Sequence, residues 1–217
     1  MTENEKMKLY LLLMEEIKVR FEVVNRAHYN ADGFPPAMVR EICYLQFRFL
    51  CEMIALGCLI AHGDIAETHA LRDTYEPGKI IKDMERLNPD FYPEPAEVTS
   101  SGIIGRSNLP HLTKQELPKL WARSGDILHR TPMVKFMETA KPGPVDFSDI
   151  MEWSDKIRTL LNSHFITLSP EKRMIVSLVE RGTNRAFAYT VNRSPDGTGQ
   201  VSIYRIADPD DEKKPIP

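Results

Sequence analysis

The segment from Ala37 to His62 constrains this chain most. Its apolar residues recur at helical spacing, and from Phe47 onward it is apolar almost all round. A helix without a polar face cannot lie on a surface in water, so the pattern predicts a central helix with others packed around it. Its longest greasy run, Met53 to Ala61, falls well short of the roughly 20 apolar residues of a membrane span, and Arg48 and Glu52 precede it. The surrounding helices are legible too. Leu9, Leu12, Leu13, Ile17, Phe21 and Val24 make residues 5–28 amphipathic, and Asn30-Ala31-Asp32-Gly33 with Pro35-Pro36 marks a stop and a new start. A third helix is expected with Asp64 as its cap, and a further helical piece after Pro77-Gly78 runs to about Leu87. Thr113 and Glu116 have capping-box spacing ahead of Leu117, Leu120, Trp121, Ile127 and Leu128, with Pro132 as the terminator. A last helix is expected from about Phe147 to Phe165, burying Ile150, Trp153, Ile157, Leu160 and Leu161.

After Pro170 the period changes. Arg173–Glu180, Arg185–Val191 and Val201–Ile206 are β-rich runs separated by turn sequences, which predicts an antiparallel meander of three strands. Residues 88–111, with Pro89, Pro93, Pro95, Gly102 and Gly105, read as a functional loop, an ordered surface excursion or a short hairpin. The expected architecture is therefore mainly α: a helical bundle over residues 1–167, a small C-terminal antiparallel β meander over 168–207 and a loose polar tail over 208–217.

Composition sets the class of partner. The 28 Lys+Arg against 31 Asp+Glu give a net charge of −3, which argues against a generic DNA-coating or membrane-surface role. The apolar run Leu9–Met14 is too short for a secretory leader and is followed by Glu15 and Glu16. Cys43, Cys51 and Cys58 all fall within one predicted helix, an odd count that suits reduced, buried thiols; we expect a cytoplasmic protein with no membrane partner. Cys58, His62 and His69 do not complete a tetrahedral donor set, so neither a metal nor another cofactor is expected. Gly102-Ile103-Ile104-Gly105 lacks the flanking elements of an RNA clamp, and no P-loop, nucleophile elbow, HExxH or dinucleotide fingerprint occurs.

A stronger signal is charge asymmetry. Between Arg106 and Lys141 stand seven Lys/Arg and three Asp/Glu, a net of +4 inside an acidic chain, together with His111 and His129. Such a cluster suits a phosphate-bearing ligand, although Lys114, Lys119 and Lys135 also fit the solvated faces of helices. Within it lies Trp121-Ala-Arg-Ser-Gly-Asp-Ile-Leu-His129-Arg-Thr-Pro132, with Arg123 and His129 six apart and Ser124 following the arginine. Over roughly residues 5–165 this resembles the HEPN superfamily of helical-bundle proteins, whose signature is an Arg, a polar residue, a short spacer and a His. The resemblance implies RNA or nucleotide as the partner, metal-independent endoribonuclease activity or RNA binding, a toxin or phage-defence setting, and a homodimer that shares the site.

The chemistry is consistent with that implication: imidazole exchanges protons near neutral pH, and guanidinium presents a planar fork to phosphate oxygens. The expected catalytic residues are Arg123, His129 and Asp126, the last orienting the imidazole from three residues upstream. Lys119, Ser124 and Arg130 are the expected flanking nucleic-acid contacts. On an ideal helix, positions six apart diverge by about 120°. Convergence therefore needs a helix distorted at Gly125, a His129 at the frayed end, or a groove composed with a partner chain. Alternatively Arg123 pairs with a carboxylate and His129 caps the helix C-terminus. Glu41, Arg48, Glu52 and His62 fall near one stripe of the central helix; Arg48 and Glu52 suit an i,i+4 ion pair, and Glu52 is a candidate partner for Arg123. A non-catalytic scaffold, or an interaction protein offering the meander's strand edge, remains the other reading.

Overall fold

The structure is a computed structural model that describes residues 2–30, 33–63, 71, 73–98, 104–129, 146–180, 182–193 and 199–206. Helix α1 (Glu3–Asn30) and helix α2 (Pro36–Ala61) pack antiparallel. They approach closely at Gly57, where a Cβ would lie 3.2 Å from the Tyr10 ring. As its composition requires, α2 is the hub: it touches α1, α3 (Pro77–Leu87), α4 (Leu117–Leu128) and α5 (Ser148–Leu161). Tyr44, Phe47, Leu50, Cys51 and Cys58 of α2 are all buried. By length and mean hydropathy α2 could cross a membrane, a property that a buried core helix shares, and most of its apolar stretch lies inside the protein.

The β content corrects the mainly α expectation. Six strands form one antiparallel sheet in the order β2-β1-β3-β4-β5-β6: β1 (Glu94–Val98), β2 (Ile104–Arg106), β3 (Ser163–Ser169), β4 (Lys172–Ser177), β5 (Phe187–Arg193) and β6 (Gly199–Arg205). The chain is thus an α+β protein. The meander predicted after Pro170 is the β4–β6 half. The other half was hidden for two physical reasons. His164 and Phe165 continue the apolar spacing of α5, so the helix is expected to run to Phe165, whereas α5 ends at Leu161 and His164, Ile166 and Leu168 alternate onto one sheet face. In the 88–111 stretch the hairpin alternative is the one realised, although Pro95 interrupts it. Pro95 sits where β1 changes neighbours: Glu94 and Pro95 pair with β3, whereas Ala96–Val98 pair with β2.

One face of the sheet is buried. His164, Ile166, Met174, Val176, Ala188 and Thr190 alternate onto it and are fully covered. Tyr10 of α1 hydrogen-bonds His164 across this layer at 2.8 Å. The α1 terminus is tied to three strands, since Glu3 takes Lys172 Nζ at 2.5 Å, Tyr204 Oη at 2.9 Å and Thr190 Oγ1 at 3.5 Å. The boundary drawn after residue 167 falls within β3. The helix expected from Asp64 and the tail over 208–217 lie outside the described residues.

Candidate anion-binding site

Helix α4 starts as its sequence requires. Thr113 N–H donates to Glu116 Oε2 at 3.0 Å and Glu116 N–H donates to Thr113 Oγ1 at 3.2 Å, the reciprocal capping box. Leu117, Leu120, Ser124 and Gly125 form its buried stripe against α2. Ser124 lies in that stripe, with its hydroxyl donating to Leu120 O at 2.8 Å; it is a core residue, not a surface contact for nucleic acid. Gly125 lets the Arg48 guanidinium lie against the helix, since a Cβ there would stand 3.0 Å from Arg48 Nη1. Arg48 also stacks on Trp121, with Cζ 4.1 Å from the ring centre. Glu52 accepts the Trp121 Nε1–H at 2.8 Å and stands 3.5 Å from Arg48 Nε. Thus Arg48 and Glu52 of the charged stripe face α4, but Glu52 is occupied by Trp121 and Arg48 instead of by Arg123.

Arg123 projects from the flank of α4 toward α2 and α5. Its Nε–H donates to Tyr44 Oη at 3.0 Å and its Nη2 to Asp149 Oδ2 at 2.7 Å. The same carboxylate takes the Tyr44 hydroxyl at 2.6 Å and both Nη groups of Arg40, one of them at 2.7 Å. Arg40 Nη1 also reaches Asp146 O at 2.7 Å. Arg40 and Tyr44 are one turn apart on α2, and Asp149 stands in the first turn of α5, where the helix dipole favours a carboxylate. Asp146 fixes that end by accepting the Ser148 N–H at 2.8 Å and its hydroxyl at 2.7 Å.

Electrostatics follow from this crossing. Partial burial alone would raise the Asp149 carboxyl, but the hydrogen bonds from Arg40 and Tyr44 and the charges of Arg40 and Arg123 outweigh it and hold it at about 2. Burial, then the hydrogen bond to Asp149 and its charge, push the Tyr44 phenol up to about 12. Tyr44 therefore stays a neutral donor and Asp149 a saturated anion. Neither is a general base at neutral pH. Two guanidinium groups share the Asp149 carboxylate, the Asp146 carboxylate also acts on Arg40, and the Arg123 side chain is 50% exposed.

The other expected catalytic residues do not join this cluster. His129 terminates α4: its N–H bonds Gly125 O at 3.0 Å, its ψ of 139° is extended and its side chain is exposed. Arg123 on a carboxylate and His129 at the helix C-terminus match the alternative to convergence. Asp126 is exposed, and no hydrogen bond links it to His129 among the described residues. Lys119 is exposed, and Arg130 lies outside the described residues. Tertiary pairing also neutralises part of the basic segment, because Arg106 meets Glu94 at 2.8 Å and Lys114 meets Glu85 at 2.7 Å. His62 has Nδ1 2.9 Å from Cys58 O and Nε2 3.0 Å from Asn88 Nδ2. Among the described residues no group of three His, Cys, Asp or Glu is assembled for a metal.

Sequence reasoning missed Arg40, Tyr44 and Asp149. The Arg40–Tyr44 spacing on one face of α2 was the available signal, but nothing in the chain says that the α5 terminus meets that face. No protein-family model, curated protein or solved structure matches this chain.

Proposed function

We propose that this chain binds a phosphate-bearing ligand of the RNA or nucleotide class at Arg123 and Arg40, as the binding form of the HEPN-like reading. The observation that supports it is the single carboxylate shared by two guanidinium groups, with Arg123 half exposed. A phosphate can accept the guanidinium N–H groups that face solvent without first displacing Asp149. The cleaving form asks more: a proton carrier beside the arginine. Arg123 is held by Tyr44 and Asp149, and His129 stands on the residue that ends the helix, so binding is the reading the geometry favours.

Fluorescence anisotropy with a labelled single-stranded RNA, across a salt series in EDTA, tests this. Arg123→Ala should weaken binding about tenfold and lower the salt slope by about one phosphate. Asp149→Asn, which removes the negative charge that both guanidinium groups share, should tighten binding while lowering the melting temperature. His129→Ala should bind as the native chain does, and the RNA should stay intact with either protein. No anisotropy change at low salt, or an unaltered slope in Arg123→Ala, would exclude the proposal. RNA cleaved by the native chain but not by His129→Ala would establish the nuclease reading instead.

A further inference from the structure

The two edges of the sheet are unlike. At one end β2 is three residues long and carries Arg106, ion-paired to Glu94 of β1. Short length and charge are the usual devices that stop an edge strand from recruiting another chain. At the other end β6 is seven residues long, and from Gly199 to Tyr204 it has no charge and no proline. Its ladder with β5 is regular from Gly199 to Arg205, without a bulge. Among the described residues nothing pairs with its outer side. Val201 and Ile203 are 56% and 61% exposed on the uncovered face. There they extend apolar rows that run across the strands in register, Phe165–Ile175–Tyr189–Ile203 and Val191–Val201.

The pattern of β6 is complementary to itself. Two copies related by a twofold axis normal to the sheet keep the uncovered face on one side, so paired residues must come from the same alternation set. The register that pairs the whole strand is centred on Ser202. It sets Val201 against the partner's Ile203, Gln200 against the partner's Tyr204 and Ser202 against the partner's Ser202. Apolar meets apolar and polar meets polar. Arg205 falls opposite the partner's Gly199, and its charge is already met by Glu180 within its own chain at 2.6 Å. A shift by two residues in one direction sets Arg205 against the partner's Val201, and a shift either way leaves strand ends unpaired.

We propose that β6 is a homodimerisation edge, through which a second copy of this chain pairs antiparallel about Ser202 to make one continuous sheet. The argument is independent of the anion site, since β6 contributes no residue to that cluster. It also differs from a dimer built on the Arg123 motif, because the axis lies at the sheet.

Sedimentation equilibrium should show a dimer at tens of micromolar. Ile203→Lys and Val201→Lys alter exposed side chains, so the circular dichroism and melting of the subunit should persist. Each alters two symmetry-related cross-strand pairs and should weaken dimerisation by about tenfold or more. The double variant Val201→Glu/Ile203→Lys sets opposite charges across the axis and should recover the dimer. Opposed residues in an antiparallel pair have Cα atoms about 4.5–5.5 Å apart, within disulfide reach, so Ser202→Cys should cross-link quantitatively on oxidation. The native thiols at Cys43, Cys51 and Cys58 are buried and should not compete. A native chain monomeric at about 100 µM, a dimer indifferent to both lysine variants, or a dimer in which Ser202→Cys fails to cross-link would overturn the proposal.

Discussion

His164 shows how much a single buried side chain can set. It stands on β3, fully enclosed beneath α1, with Nδ1 3.1 Å from Leu161 O and Nε2 2.8 Å from the Tyr10 hydroxyl. With Nδ1 as donor, a neutral ring accepts from Tyr10, and an added proton would turn the Tyr10 hydroxyl from donor to acceptor beside a charge buried away from water. Burial lowers its pKa to about 4, against the smaller opposing effect of the Leu161 carbonyl. The unfolded chain therefore binds that proton first. The stability His164 contributes is complete above about pH 6.5 and is lost as pH falls to 4, on the order of 3 kcal/mol. Asp149, held at about 2, adds a separate loss between about pH 4 and 2 of about 1 kcal/mol after solvent screening. Denaturant unfolding from pH 8 to 4 should show the first loss, and Tyr10→Phe/His164→Leu should flatten it. An unchanged slope in that variant would refute the assignment.

At the level of elements, local chemistry and tertiary context divide the work visibly. The capping box at Thr113 was readable from two residues at fixed spacing and is formed as read. Thr113→Ala should cost about 1 kcal/mol in denaturant unfolding without changing the RNA affinity, because the site lies along the flank and not at this terminus. The i,i+4 pair Arg48–Glu52 was equally local. The partners of Arg123 were not. The spacing of the motif said only that Arg123 and His129 lie on different sides of α4, whereas Tyr44 and Asp149 come from elements far away in sequence. Strand β3 was misread because apolar residues after a helix satisfy helical and strand periods alike until a neighbouring strand selects one.

The whole molecule joins parts that look separable along the chain. Residues 1–167 would keep the helices and the Tyr10–His164 contact but lose β4, β5 and β6, and with them all three sheet partners of Glu3. That fragment should therefore be unfolded or aggregate, and the full chain should melt in one transition, with near-ultraviolet signals from Trp121 and Trp153 coinciding with far-ultraviolet loss of the sheet. A cooperative melt of the fragment near the native temperature would show that the sheet is dispensable.

By itself the sequence determined what depends on neighbours within a few positions: the described helices in outline, the capping box at Thr113, the central place of α2 and the late strands. These follow from apolar period, capping side chains and turn residues, all of which act locally. Only the tertiary structure decided that an early hairpin joins the late strands in one sheet, that Ser124 lies inside, and that Asp149 gathers Arg40, Tyr44 and Arg123. Those outcomes depend on which faces meet across long sequence separations. Burial of the apolar surface of the whole chain selects that pairing, and no short window of sequence contains it.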